Sequence, residues 1–110
     1  MPVYAVERLL PGVTLETVER IESAAHQMAR TFVAQGSAVR YLGGTFIPGE
    51  SRCQSFFEAT NADLVQDLND AAQLPYTRIV LAVGLPRDPS IEGLTHTILI
   101  PSGEGPRKEL

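Results

Sequence analysis

Few residues in this chain have chemistry to offer, and most of them sit in runs that otherwise read as strands. Cys53, the single cysteine, lies in Arg52-Cys53-Gln54-Ser55-Phe56-Phe57-Glu58-Ala59, beside two adjacent aromatics and an acid. Glu7 lies in a second such run, between Val6 and Arg8-Leu9-Leu10. Glu7 has two readings: an arginine-paired or solvated strand residue, or a pocket carboxylate whose burial raises its pKa and makes it a ligand or general base. Glu58 either flanks a hairpin end or lines the same cavity. Cys53 reads as a small buried hydrophobe rather than a nucleophile, because no histidine stands near it and no cysteine-enzyme pattern surrounds it.

Metal chemistry needs several converging ligands. The chain has two histidines and one cysteine with no paired spacing, which excludes a structural zinc site. His26 falls on the polar side of a helix with Glu19, Glu22 and Arg30, and reads as solvated. His96 alternates with Thr95 and Thr97, within reach of an interface or a pocket mouth. The metal-ligand set that remains open is Glu7, Glu58 and His96. Gly43-Gly44 is followed neither by Lys-Ser/Thr nor by a helix start, so no phosphate-binding loop is read there.

These residues need a scaffold, and the hydrophobic pattern supplies one. Val3 to Leu10 alternates as a strand, with Val3, Ala5 and Glu7 on one side and Tyr4, Val6 and Arg8 on the other. Pro11-Gly12 turns the chain. Thr14 caps a helix whose apolar residues are Leu15, Val18, Ile21, Ala25, Met28 and Phe32, and Gly36 stops it. Val39 to Ile47 is a strand with two glycines at its centre, where a bulge or a close approach is expected. Pro48-Gly49-Glu50-Ser51 returns the chain into the strand Arg52 to Ala59. Asn61 caps a shorter helix with Leu64, Val65, Leu68, Ala71 and Ala72 inward, and Thr77 to Val83 forms another strand.

The order strand, helix, strand, strand, helix, strand predicts an α+β, ferredoxin-like βαββαβ domain over residues 1–83, an antiparallel sheet with two helices on one face. The remaining sheet face must be hidden, and a homodimer through it is the expected solution. Residues 84–110 form an extension with four prolines and four glycines, one extra strand at Thr95–Ile100 and a flexible end. Tyr4, Tyr41, Phe46, Phe56 and Phe57 lie on strands. Those sharing the Gly43 side would line an apolar cavity with a few polar groups, the usual character of a small-molecule site.

Composition narrows the classes. The net charge is −4 with basic residues scattered along the chain, which argues against nucleic acid. No apolar run approaches a bilayer span of ~20 residues. The opening Pro2-Val3-Tyr4-Ala5-Val6 lacks the basic and apolar regions of a leader, and one cysteine makes no internal disulfide, so the cytoplasm is the expected compartment.

Three stretches in order, Tyr4-Ala5-Val6-Glu7-Arg8-Leu9-Leu10-Pro11-Gly12, Phe57-Glu58-Ala59 and Leu74-Pro75-Tyr76-Thr77-Arg78-Ile79, resemble the landmarks of a bacterial family of small ferredoxin-like dimers. That family is largely of unknown function and includes a nickel-binding member. The resemblance covers residues 3–83 and implies the fold, a dimer and a divalent metal, nickel, as cofactor. The chain departs from the pattern where the family has groups suited to metal. A tyrosine-cysteine pair falls on Gln54 and Ser55, a helix histidine on Leu68, and a polar strand residue on Gly43.

The function expected from these readings is a small dimeric ligand-binding protein, with nickel as the ion implied by the resemblance. The ligand set is Tyr4, Glu7, Tyr41, Gly43, Cys53, Ser55, Phe57 and Glu58. The dimer contact is the open sheet face with the C-terminal strand. The alternative is a cofactor-independent isomerase, cyclase or monooxygenase acting on an apolar molecule, with Glu7 as base and Tyr4 or Tyr41 orienting the substrate.

Overall fold

The computed structural model describes residues 1–85. Its elements are β1 (Val3–Leu9), α1 (Leu15–Ala34), β2 (Val39–Ile47), a 3-10 turn at Pro48–Glu50, β3 (Arg52–Ala59), α2 (Ala62–Ala71) and β4 (Arg78–Ala82). The expected extra strand at Thr95–Ile100, and His96 with it, lie outside the described residues.

Local chemistry sets the helix ends. Thr14 Oγ1 accepts from the Thr17 amide at 3.2 Å, and Asn61 Oδ1 accepts from the Leu64 amide at 2.9 Å. At the far end of α1, Gly36 takes φ +98°. That left-handed turn lets the Ser37 amide donate to the Phe32 carbonyl at 2.9 Å, closing orphan carbonyls of the last turn.

The four strands form one antiparallel sheet in the order β2-β3-β1-β4. With the two helices this is an α+β architecture compatible with a ferredoxin-like fold. β1 is central, pairing with β3 through Tyr4↔Phe57 and Val6↔Ser55, and with β4 through Val6↔Ile79. The main core lies between sheet and helices. Val6, Val39, Phe57 and Ala59 from the strands meet Ala25 and Ala29 of α1 and Val65 and Leu68 of α2. A second apolar cluster, Val3, Ala5, Leu42 and Phe56 with Val80 and Ala82 against it, occupies the opposite sheet face.

Alternation along β1 therefore sends Tyr4, Val6 and Arg8 toward the helices and Val3, Ala5 and Glu7 away from them. The glycine pair in β2 does both things expected of it. The register slips between Tyr41 and Gly43, a bulge with Gly43 at φ +119°. Gly44 lies under a side chain from α1.

Candidate functional site

Arg8 is a guanidinium on the helix-facing side of the central strand, and it is 1 % exposed. A cation in that position requires partners on every side. Its Nε and Nη2 donate to Ser55 Oγ at 3.2 and 2.9 Å, Nη2 donates to Asn69 Oδ1 at 2.8 Å, and Nη1 donates to the Pro75 carbonyl at 2.9 Å. Asn69 is itself fully buried and held by its own helix, its Nδ2 donating to the Val65 carbonyl at 2.9 Å.

The countercharge comes from α1. Ser55, receiving two bonds from Arg8, donates its own hydroxyl to Glu22 Oε2 at 2.5 Å. Cys53 Sγ donates to the same oxygen at 3.3 Å, and the Tyr41 hydroxyl donates to Oε1 at 2.5 Å. One carboxylate thus collects three donors from β2 and β3 and faces a buried cation across a serine hydroxyl. Glu22 reaches this position because the strand below it has no side chain there. A Cβ built on Gly44 would overlap Glu22 Oε1 and lie 2.7 Å from the Gln54 carbonyl oxygen.

The ionisation of these groups follows from where they sit. Burial pulls the Arg8 guanidinium below its ordinary value, with Glu22 opposing the fall. Burial also pushes the Cys53 thiol up to about 12, and the Glu22 carboxylate adds to the rise. Tyr41 is raised for the same reasons, burial first and Glu22 second. Cys53 and Tyr41 therefore hold their protons at neutral pH, as neutral donors to a carboxylate.

Beyond Tyr41 a cleft of about 300 Å³ opens between α1 and β2. Ala29, Val33, Ala34 and Val39 supply its apolar surface, and His26, Arg30, Arg40 and Tyr41 complete it. Positions 26, 29, 30, 33 and 34 share one stripe of α1, the stripe that continues from Glu22. The Tyr41 ring stacks on His26, with centroids 5.1 Å apart and planes at 22°. Its other neighbour is Phe57, edge-on at 5.6 Å and 67°. Two aromatic contacts and the bond to Glu22 fix this ring as one wall of the cleft.

Of the residues expected to form a site, Tyr41, Cys53 and Ser55 come together around Glu22, with Gly43 in the bulge next to Gly44. Phe57 is fully buried core, and Tyr4 packs half-buried against the same core. Glu7 is elsewhere. It lies on the sheet face away from the helices, bonded to Arg78 at 2.6 Å and to Gln54 at 3.3 Å. It lines a separate cleft of about 210 Å³ with Leu9, Arg52 and Thr77. Of the two readings of Glu7, this is the arginine-paired one and not the base raised by burial: the bond to Arg78 holds its carboxyl below the usual range, and burial only partly offsets it. Glu58 lies on that face too, paired with Arg40 at 3.1 Å. Glu7 stands opposite Gln54 in the sheet, four residues along β3 from Glu58 and so about 13 Å away. The two carboxylates do not converge.

The donor set among the described residues does not fit nickel. Among the described residues no group of three or more histidine, cysteine, aspartate or glutamate side chains gathers. Ser55 is engaged on both sides by Arg8 and Glu22, Leu68 is fully buried, and the Cys53 thiol donates to Glu22.

Glu22, Arg8 and Asn69 of this site were not singled out by sequence reasoning; for the first two the sequence holds a trace. Arg8 alternates with Tyr4 and Val6, so it shares their buried side. Glu22 completes the series Val18, Glu22, Ala25, Ala29, whose other members are all buried.

No family model and no curated protein matches the chain. Among solved structures it is similar to SCO4226 from Streptomyces coelicolor A3(2), at a TM-score of 0.55 and 15% sequence identity, over 70% of this chain and 90% of that one. At that identity the likeness carries the fold alone. No helix among the described residues is long and apolar enough to cross a membrane.

Proposed function

We propose that this protein binds a small, largely apolar organic molecule in the cleft between α1 and β2. The observation that carries the reading is the cleft itself. Its volume of about 300 Å³ and its apolar surface of Ala29, Val33, Ala34 and Val39 suit such a ligand, and its aromatic wall is fixed before any ligand arrives. A binding role is favoured over the enzyme alternative because Glu22, the carboxylate nearest the cleft, already accepts three hydrogen bonds. Those three bonds commit Glu22 to holding the site together.

The reading takes the chain to be a ferredoxin-like domain acting in the cytoplasm as a homodimer. Support for the dimer is that both described helices pack against the other side of the sheet from Val3, Ala5, Leu42 and Phe56. Charged pairs, Glu7–Arg78 and Arg40–Glu58, flank those apolar residues. Its measure is the mass in solution.

The cleft is tested by screening small apolar compounds for thermal stabilisation of metal-stripped protein. A true ligand at ~100 times its Kd adds roughly 2.7 kcal/mol. Ala34→Trp fills the cleft from an exposed position at the end of α1 and should abolish the response with the fold intact. Nickel runs in parallel. Stoichiometric nickel binding with no response to organic compounds would overturn the reading.

A further inference from the structure

The polar groups around the cleft lean to one sign. Its lining holds two guanidiniums, Arg30 and Arg40, and one imidazole, His26, and no carboxylate. Of the two nearby acids, Glu22 accepts from its three donors and Glu58 pairs with Arg40, so the guanidinium of the lining that no acid offsets is Arg30. In a chain of net charge −4, that is a local reversal.

Arg30 differs from the other arginines among the described residues. Arg20 pairs with Glu16, Arg40 with Glu58, Arg52 with Glu50 and Arg78 with Glu7, and Arg8 is enclosed by its buried network. Arg30 makes no hydrogen bond or ion pair with any described residue. The helix itself offers it none: positions three and four away are His26, Gln27, Val33 and Ala34, whereas Arg20 has Glu16 four residues back. So an arginine without an acid stands over an apolar floor, one turn from an imidazole stacked on a fixed ring.

We infer that the ligand of this cleft is an organic anion, an apolar body carrying a carboxylate or sulfonate that Arg30 holds. This rests on the cleft being the binding site. The apolar body lies over Ala29, Val33 and Val39 against the Tyr41 ring, and the anionic group accepts from the planar guanidinium fork. Recognition of the charge falls on the side chain. The cleft lies along the C-terminal half of α1, where the helix presents carbonyls and a partial negative charge rather than amide donors. The anion's affinity therefore depends on Arg30 and has no backbone substitute.

The test uses three probes with one body: 1-naphthoate, 1-naphthamide and 1-naphthylmethylammonium, titrated by NMR into the full chain and into Arg30→Gln and Ala34→Trp variants. The expected result is naphthoate binding about tenfold or more tighter than naphthamide, a difference of ~1.4 kcal/mol, with the ammonium weakest. Arg30→Gln, at an exposed position, should bring naphthoate down to the level of naphthamide, while Ala34→Trp removes both. If naphthamide binds as well as naphthoate, or Arg30→Gln leaves their ratio intact, the anion assignment is overturned while the cleft stands. If no probe binds, the cleft reading itself falls and the anion assignment falls with it. If no probe binds and Ala34→Trp converts an oligomer to a monomer, the cleft is a subunit contact, which overturns both.

Discussion

Gly44→Ala is the sharpest perturbation of the buried network, because it adds one carbon where Glu22 enters. The backbone at Gly44 is not in the left-handed region, so alanine brings no conformational strain and the whole cost is contact. The new methyl overlaps Glu22 Oε1 and stands 2.7 Å from the Gln54 carbonyl oxygen. That carbonyl belongs to the ladder between β2 and β3 and yields little. The carboxylate can move, but only by releasing Tyr41, Ser55 or Cys53. Overpacking alone costs about 1–3 kcal/mol. Losing bonds to a charged acceptor adds about 1.5–3 kcal/mol each, part of it recovered because Glu22 is half-exposed to water. A total of about 3–5 kcal/mol is expected, a large share of the ~5–15 kcal/mol that holds a domain of this kind. Urea unfolding should show a lowered midpoint with the slope unchanged. The same substitution in a Glu22→Ala background removes one of the two obstructions. The alanine should then cost ~1–3 kcal/mol less, the coupling of two residues in contact. If Gly44→Ala lies within about 0.5 kcal/mol of wild type, or costs the same with and without Glu22, the carboxylate does not occupy this position and the account of the site fails.

The other groups of the network give two more expectations. Arg8→Met leaves a half-buried carboxylate without its cation and strips partners from Asn69 and Pro75. It should destabilise by about 3–5 kcal/mol in urea, and adding Glu22→Gln should recover part of that; equal losses in the single and double variants would refute the charge pairing across Ser55. The Cys53 thiol has a folded pKa of about 12 against 9.0 unperturbed, and Tyr41 is also raised. Groups raised in the folded state stabilise it fully below their unfolded pKa and lose that contribution as pH climbs to the folded one. Melting temperature should therefore hold up to about pH 9 and fall between 9 and 12, more steeply than in Cys53→Ala; parallel curves for the two proteins would remove Cys53 from the argument.

The scaffold was legible because its signals are local. The reading of Val39–Ile47 and Arg52–Ala59 as strands coincides with β2 and β3, since Gly36, the Pro48-Gly49 turn and Asn61 punctuate the chain on either side. β4 is shorter than the apolar run Thr77–Val83. It can extend only as far as β1 pairs with it, from Glu7↔Arg78 to Val3↔Ala82, and periodicity does not carry that partner's length. The site was half legible. Cys53, Ser55 and Tyr41 stood out because polar groups in apolar strands are conspicuous. Glu22 did not, because a carboxylate on a helix with Glu16, Glu19 and Arg20 looks like one more solvated charge. What turns it inward is a glycine in another strand and an arginine in a third, pairings with no local trace.

That mutual dependence is also why the network bears on the proposed binding. Glu22 needs the hole at Gly44, the charge of Arg8 and the hydroxyl of Ser55 between them; any two without the third leave a buried charge or donor unanswered. Three of the four positions that the resemblance matches to metal-suited groups serve this arrangement or the core around it. Ser55 bridges, Leu68 fills the core, and Gly43 forms the bulge beside Gly44. A network satisfied only as a whole has one geometry, and the Tyr41 ring belongs to it through the bond to Glu22. The cleft wall is then set by the fold and not by the ligand, so a molecule that fits does not have to order it. Affinity in such a site comes from the shape of the apolar floor and from whatever charge stands at its rim.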